Sequence, residues 1–211
     1  MSVYITNSSH LIKEAHIELY EPNSTAAIFL SGGLDSAVLL YALLLEREKT
    51  KKNIHFTALT VSKVAAELYS QSIVNCLQKR FGQLQHVTGV DNEGSAPGAI
   101  TEAIRKKLRL HEFDTVYTGI NRNPPAELFT PKGGLSPVRP TRSPHDTLKL
   151  PFLDLYKSHI INLGAQLKIH DLMALTHSCT EQVEGRCSVC FACDERDWGF
   201  RENQILDPGN L

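Results

Sequence analysis

Residues Ala26–Ser36, AAIFLSGGLDS, pass from a short apolar run into a glycine pair and then into Asp35-Ser36. The apolar pattern AVLLYALLLE follows without a break over Ala37–Glu46. That order reads as strand, tight turn, helix start. Gly32 and Gly33 let the backbone approach a bulky anion because no Cβ stands in the way. The turn aims several backbone N–H groups, and the positive end of a helix dipole, at one spot suited to phosphate or pyrophosphate. Ser31 and Ser36 add hydroxyl donors. Asp35 repels a bare phosphate, so its expected task is to cap the helix or to hold a Mg²⁺ that rides on the phosphates. The stretch is neither a Walker A loop, which ends Gly-Lys-Ser/Thr, nor the G-x-G-x-x-G dinucleotide fingerprint. A nucleotide enzyme is the expectation, with Leu30, Ser31, Gly32, Gly33, Leu34, Asp35 and Ser36 around the anion.

Working outward, strands and helices alternate. Ile54–Val61 reads as a second strand, Val64–Arg80 as a helix, Leu84–Val90 as a third strand and Asp114–Gly119 as a fourth. Ala99–Leu110 has helical periodicity with a basic face of Arg105, Lys106, Lys107 and Arg109, expected to be solvated surface. This alternation predicts right-handed βαβ units, a parallel sheet with helices on both faces, and a ligand beyond the carboxyl ends of the strands. The glycine turn lies at such an end, and so does Asn121-Arg122-Asn123-Pro124-Pro125. Asn121–Asp146 then breaks the pattern with prolines, Gly133-Gly134 and the cations Lys132, Arg139 and Arg142; a loop this long inside a domain is functional or mobile. Leu150–Leu153 reads as a strand or extended segment, Tyr156–Leu167 as a helix, and Asp171–Ala174 as a short helical piece. Before Ala26, SVYIT alternates weakly and HLIKEAHIELY fits a helix or an edge strand. The whole is expected to be a single domain over 1–211, with 177–200 as a metal-binding tail.

The 211 residues suffice for one α/β core. Net charge is −1 with no long basic run, which argues against holding nucleic acid by bulk electrostatics. No apolar stretch approaches the roughly 20 residues that span a bilayer. MSVYITNSSH lacks the pattern of a signal peptide, so a cytosolic protein is expected. Of five cysteines, Cys76 stands alone in a helical stretch, while Cys179, Cys187, Cys190 and Cys193 crowd together. In such a chain this cluster reads as a metal site rather than a disulfide framework. Four thiolates suit one tetrahedral Zn²⁺ with no open position, hence a structural ion; an iron–sulfur cluster is the rival. His86, His145, His159, His170 and His177 have no spacing that compels a catalytic role, although His177 could support the metal shell.

Ser31-Gly32-Gly33-Leu34-Asp35-Ser36 resembles the signature of the PP-loop ATP pyrophosphatases, a Rossmann-like, HUP-type fold. The resemblance implies cleavage of ATP to AMP and pyrophosphate through an adenylate, with Leu59, Thr60 and Val61 as candidate contacts on the adenine side. The tail narrows the family. Leu150-Pro151-Phe152-Leu153-Asp154-Leu155-Tyr156-Lys157, then His177-Ser178-Cys179, then Cys187-x-x-Cys190-x-x-Cys193-x-x-Arg196-x-x-x-Phe200 resemble the 7-cyano-7-deazaguanine synthase (QueC) family. Residues 26–48 and 150–200 carry the likeness. The middle departs from it: Val61-Ser62-Lys63 stands where the family has Tyr-Gly-Gln, and its Tyr-Pro-Asp-Cys-Arg segment has no counterpart. The resemblance implies ATP, Mg²⁺ and structural Zn²⁺, a deazaguanine carboxylate and ammonia as substrates, and a nitrile as product. It implies Asp35, Lys157 and Arg122 as catalytic residues, Lys157 on a phosphate or adenylate and Arg122 on the α-phosphate or substrate carboxylate. Family members are often dimers, so a homodimer is an expectation. The altered middle keeps open a ligase that joins the carboxylate to another amine. A PP-loop tRNA thiolase is a third reading, without the basic extension it would want.

Overall fold

The computed structural model describes residues 1–8, 11–20, 24–61, 64–90, 112–133, 136–143 and 146–210. Five parallel strands form the central sheet: β3 (Thr25–Phe29), β4 (His55–Val61), β5 (Gln85–Val90), β6 (Thr115–Thr118) and β7 (Leu148–Lys149), in the order β5-β4-β3-β6-β7. The chain steps outward from β3 through β4 to β5 and then returns to the other side of β3. The reversal opens a crevice beyond the carboxyl ends of β3 and β6, where a parallel α/β sheet takes its ligand. Two turns meet there: Leu30–Gly33 and Gly119–Asn121.

Both sheet faces are apolar, as near-continuous hydrophobic strands require. On one face Ala26, Ile28 and Leu30 share a core with α1 (Leu34–Thr50) and with Ile73, Val74 and Leu77 of α2 (Val64–Phe81). On the other, Ala27, Phe29, Leu59, Val116 and Leu148 form a second, smaller cluster. The helix expected over Ala99–Leu110 lies outside the described residues, as does His145. The chain closes with α3 (Lys157–Gln166), α4 (His170–Ala174), α5 (Phe191–Glu202) and a 3-10 turn (Pro208–Asn210).

The structure settles one open reading of the sequence and changes two. Leu11–Ile17 is a strand, β2, paired antiparallel with β1 (Ser2–Ser8) in unbroken register from Ser2↔Ile17 to Ser8↔Leu11. Leu150–Leu153 is a turn: the strand is the two residues before it, because Leu153 and Leu155 donate back to the carbonyls of Leu150 and Phe152 at 3.1 and 2.9 Å. The tail carries a helix of 12 residues, α5, whose N-cap is Cys190. The hairpin of β1 and β2 leans on α3. There His159 accepts from the Tyr156 N–H and its Nε2 meets the Leu11 carbonyl at 3.1 Å. Burial holds its pKa down to about 4, so it is neutral and structural.

Among the described residues, no helix is long and apolar enough to cross a membrane.

Candidate functional site

The glycine turn is braced from four directions. Leu30 extends the ladder one residue beyond β3, its N–H donating to Leu59 O at 2.9 Å, and the buried Thr60 hydroxyl donates back to Leu30 O at 2.9 Å. Thr60 thus supports the turn from below, and Leu59 beside it is buried. At Gly32 the backbone takes φ +77°, and a Cβ there would stand 3.0 Å from Tyr69 Cβ and 3.2 Å from Ala66 O of α2. The N–H of His177 donates to Gly32 O at 2.9 Å while its ring stacks on Tyr69, centroids 4.4 Å apart. Finally, Gly119 at the end of β6 comes so close that a Cβ would lie 2.9 Å from Asp35 C and Ser36 N. Gly119→Ala therefore has to push the start of α1 away from β6. It is expected to cost about 1–3 kcal/mol by overpacking, read as a lower urea midpoint with unchanged slope.

Within the turn, Ser36 Oγ donates to Gly33 O at 3.1 Å and the Ser31 N–H reaches Ser36 Oγ at 3.3 Å. Gly33, not Asp35, is the N-cap of α1, and no side chain caps it. Asp35 is spared for another task. One of its oxygens, Oδ2, takes the ammonium of Lys157, which opens α3; the other, Oδ1, is buried with no partner among the described residues. Burial pushes the Asp35 carboxyl above its usual range and nearby Glu195 adds to the rise, with Lys157 opposing both. An unpartnered carboxylate oxygen is one hard donor of the kind a divalent cation takes, and phosphate oxygens would have to complete its shell.

Asp35 and Lys157, 122 residues apart in sequence, are therefore brought together. Arg122 is not brought to them: it is exposed, and its backbone N–H donates to Leu155 O at 2.7 Å. The guanidinium that reaches this place belongs to Arg139, whose NH1 lies 2.9 Å from Glu195 Oε1 and 3.1 Å from Asn121 O. Arg142 is exposed.

Glu195, Tyr69 and Gly119 were not singled out from the sequence. Glu195 had a signal: Phe191, Glu195 and Trp198 fall at i, i+4 and i+7, so a helix there puts the carboxylate on its apolar face. All three are buried.

The tail sulphurs of Cys179, Cys187, Cys190 and Cys193 lie within 4.8 Å of one another. A tetrahedral ion with metal–sulphur bonds of about 2.3 Å sets its sulphurs about 3.8 Å apart, so sulphurs already within 4.8 Å of one another need to close in only slightly to hold one ion. Burial tends to raise the Cys190 thiol, but N–H donors and Thr180 outweigh it and hold it to about 6. Burial and its neighbouring thiols push Cys193 up to about 12. One member is thus poised to ionise first, and a bound cation would draw off the remaining protons. His177 is not a member: its Nε2–H donates to Gln182 O at 2.8 Å.

Helix α5 starts at this cluster and spreads three consecutive buried charges. Asp194 accepts from the Lys132 backbone N–H. Arg196, fully buried, forks onto Asp207 at 2.7 and 2.9 Å and also donates to Thr176 Oγ1 at 2.6 Å. Asp207 is held down to about 2, against burial, by Arg196 and Arg186. Described residues of the Asn121–Asp146 stretch, expected to be functional or mobile, dock on this helix: Phe129 packs edge-on against Phe191, centroids 5.7 Å apart, and beside Trp198.

Comparison with known proteins agrees with this tail. Residues 141–204 match the family model described as queuosine biosynthesis protein QueC. Over 61 residues the chain is 36% identical to a 7-cyano-7-deazaguanine synthase of Gloeobacter violaceus, covering 28% of this chain and 26% of that protein. Over 111 residues it is 31% identical to one of Leptospira biflexa, covering 46% and 44%. The chain thus spans about a quarter to under a half of the length of the curated relatives it matches. Among solved structures, the U34-tRNA thiolase NcsA from Methanococcus maripaludis, with its [4Fe-4S] cluster, aligns with a TM-score of 0.45 at 18% identity over 87% of this chain and 66% of that one.

Proposed function

We propose, on the match of residues 141–204 to the QueC family model, that this chain adenylates a 7-deazaguanine carboxylate with ATP and converts it to the nitrile. The observation that carries the reading is the meeting of Asp35 and Lys157 at the glycine turn, at the sheet's topological switch point. ATP enters with its phosphates on Ser31, Gly32, Gly33 and the first turn of α1, whose N–H groups a helix cannot satisfy by itself. Thr60 and Val61 line the adenine side. The substrate carboxylate attacks the α-phosphorus and pyrophosphate leaves. Lys157 stabilises the negative charge that builds on the departing oxygens, at a place where little water competes. Ammonia displaces AMP to form the amide; a second activation and loss of water gives the nitrile. Asp35 Oδ1 would hold Mg²⁺, which supplies charge neutralisation on the phosphates. The four cysteines would hold Zn²⁺, a choice supported by sulphur spacings that leave room for one ion. No open position remains on such an ion, so its part is to close the tail and start α5.

A second reading, transfer of the activated carboxylate to an amine other than ammonia, is supported by the loop. The family match begins only at residue 141, and Arg139 is already paired with Glu195. One experiment separates the two. The protein is incubated with ATP, Mg²⁺, ammonium and 7-carboxy-7-deazaguanine, and products are weighed by mass spectrometry. AMP together with the nitrile is expected. AMP without nitrile would transfer the case to the second reading, and the absence of carboxylate-dependent AMP would sink both.

A further inference from the structure

The chemistry above uses Asp35 and Lys157 but gives Glu195 nothing to do. Yet Glu195, with a side chain only 2% exposed, is placed between two cations. Its Oε2 lies 3.6 Å from Lys157 Nζ, and both its oxygens face Arg139, at 2.9 and 3.0 Å. Asn121 Nδ2 approaches Oε1 at 3.4 Å. A buried carboxylate is costly unless paired, so three groups from two segments, α3 and the loop carrying Asn121 and Arg139, are organised around it. The distance to Lys157 is an ion-pair contact, not a hydrogen bond. Asp35 takes one of the three ammonium N–H groups, and Glu195 biases where the ammonium sits without occupying the other two.

We infer that Glu195 is a positioning residue: it holds the Lys157 ammonium at the mouth of the glycine turn and fastens Arg139, and through it Asn121, over the same place. Because Glu195 lies two residues beyond Cys193 on α5, the four-cysteine tail becomes part of the nucleotide site's alignment. The inference rests on the proposed role of Lys157 in ATP cleavage.

The test uses the whole 211-residue chain, metal-loaded, and two readouts. The first is steady-state pyrophosphate release. Glu195→Gln is expected to lower kcat about 30-fold, the scale of a misplaced catalytic group, while the KM for ATP changes less than threefold and metal content stays at one ion. The double variant Glu195→Gln/Arg139→Gln, which removes both charges of the fork, is expected to keep the low kcat. The second readout needs no activity: acylation of lysines by an amine-reactive reagent, mapped by peptide mass spectrometry. Labelling of Lys157 should rise several-fold in Glu195→Gln while exposed Lys168 is unchanged. Wild-type kcat in the single variant, recovery in the double variant, or loss of metal in step with activity would each overturn the inference. If Glu195→Gln does not fold, Glu195→Asp, which keeps the charge but shortens the reach by one methylene, carries the same comparison. If the wild-type protein releases no pyrophosphate, the proposed function fails, and the labelling still decides whether Glu195 holds Lys157.

Discussion

Lys157→Ala is expected to reduce AMP and pyrophosphate formation by about 10²–10³-fold, the loss found when one preorganised donor to developing negative charge is removed. Three features argue for so large an effect. The ammonium is nearly enclosed, with a side chain 7% exposed, so water is a poor substitute. Its partner Asp35 is already pushed up by burial, with Lys157 as the leading influence that lowers it. Without the lysine, the carboxyl is pushed up further, which weakens its capacity to hold a cation. The variant also leaves a buried carboxyl unpaired, which costs stability of about 3–5 kcal/mol in enclosed pairs and less here, where Asp35 remains 19% exposed. Catalysis and folding are separated by Asp35→Asn/Lys157→Met, which removes both charges. That double variant should regain most of the lost melting temperature and none of the lost turnover. A Lys157→Ala protein with near wild-type single-turnover AMP formation would remove Lys157 from the mechanism.

Stripping the metal is expected to abolish turnover while leaving the sheet folded. The segment from Cys179 to Cys190 contributes its cysteines to a small cluster of their own and little to the main core. With an ion bound as proposed, that ion would order the segment, since structural zinc contributes roughly 10–16 kcal/mol of apparent binding energy in small peptides. Helix α5 has other anchors: Trp198 and Phe200 are buried, and Arg196 is forked onto Asp207. Chelation should accordingly free four reactive thiols, expose the 179–190 segment to protease, and preserve most far-ultraviolet ellipticity. Turnover should be lost because α5 carries Glu195 directly after its first turn, and because His177, just before the segment, donates to Gly32 of the turn. Added Zn²⁺ should restore both thiol protection and activity. Full activity in a protein shown to be metal-free would break the proposed link between tail and turn. A stoichiometry of several irons per chain would replace zinc with a cluster.

The parallel sheet, the glycine turn and the four-cysteine cluster were legible in the sequence because each is local. Apolar runs such as Ile54–Val61 announce buried strands by composition, Gly32 by its need for positive φ, and the cysteines by their spacing. The N-terminal hairpin and the turn at Leu150–Leu153 were not legible, since short apolar runs fit several local structures until a neighbour selects one. For β2 that neighbour is β1, with α3 beneath it.

The resemblance to the family's helix-opening lysine carried the choice of Lys157, but nothing local distinguished Arg122 from Arg139. Both are loop arginines among prolines. What separates them is a carboxylate 56 residues downstream of Arg139, and charge pairing acts through space. The same holds for Asp35: by itself the sequence allows a helix cap or a cation ligand, and the structure gives the cap to Gly33 because Lys157 draws the side chain away. The sequence by itself thus determined the sheet, the anion-sized turn and the thiolate cluster, whose signals lie within a few residues. Only the tertiary structure decided which charges share the turn, because Asp35, Lys157, Arg139 and Glu195 come from four separate segments and are joined by low-dielectric packing that no local pattern records.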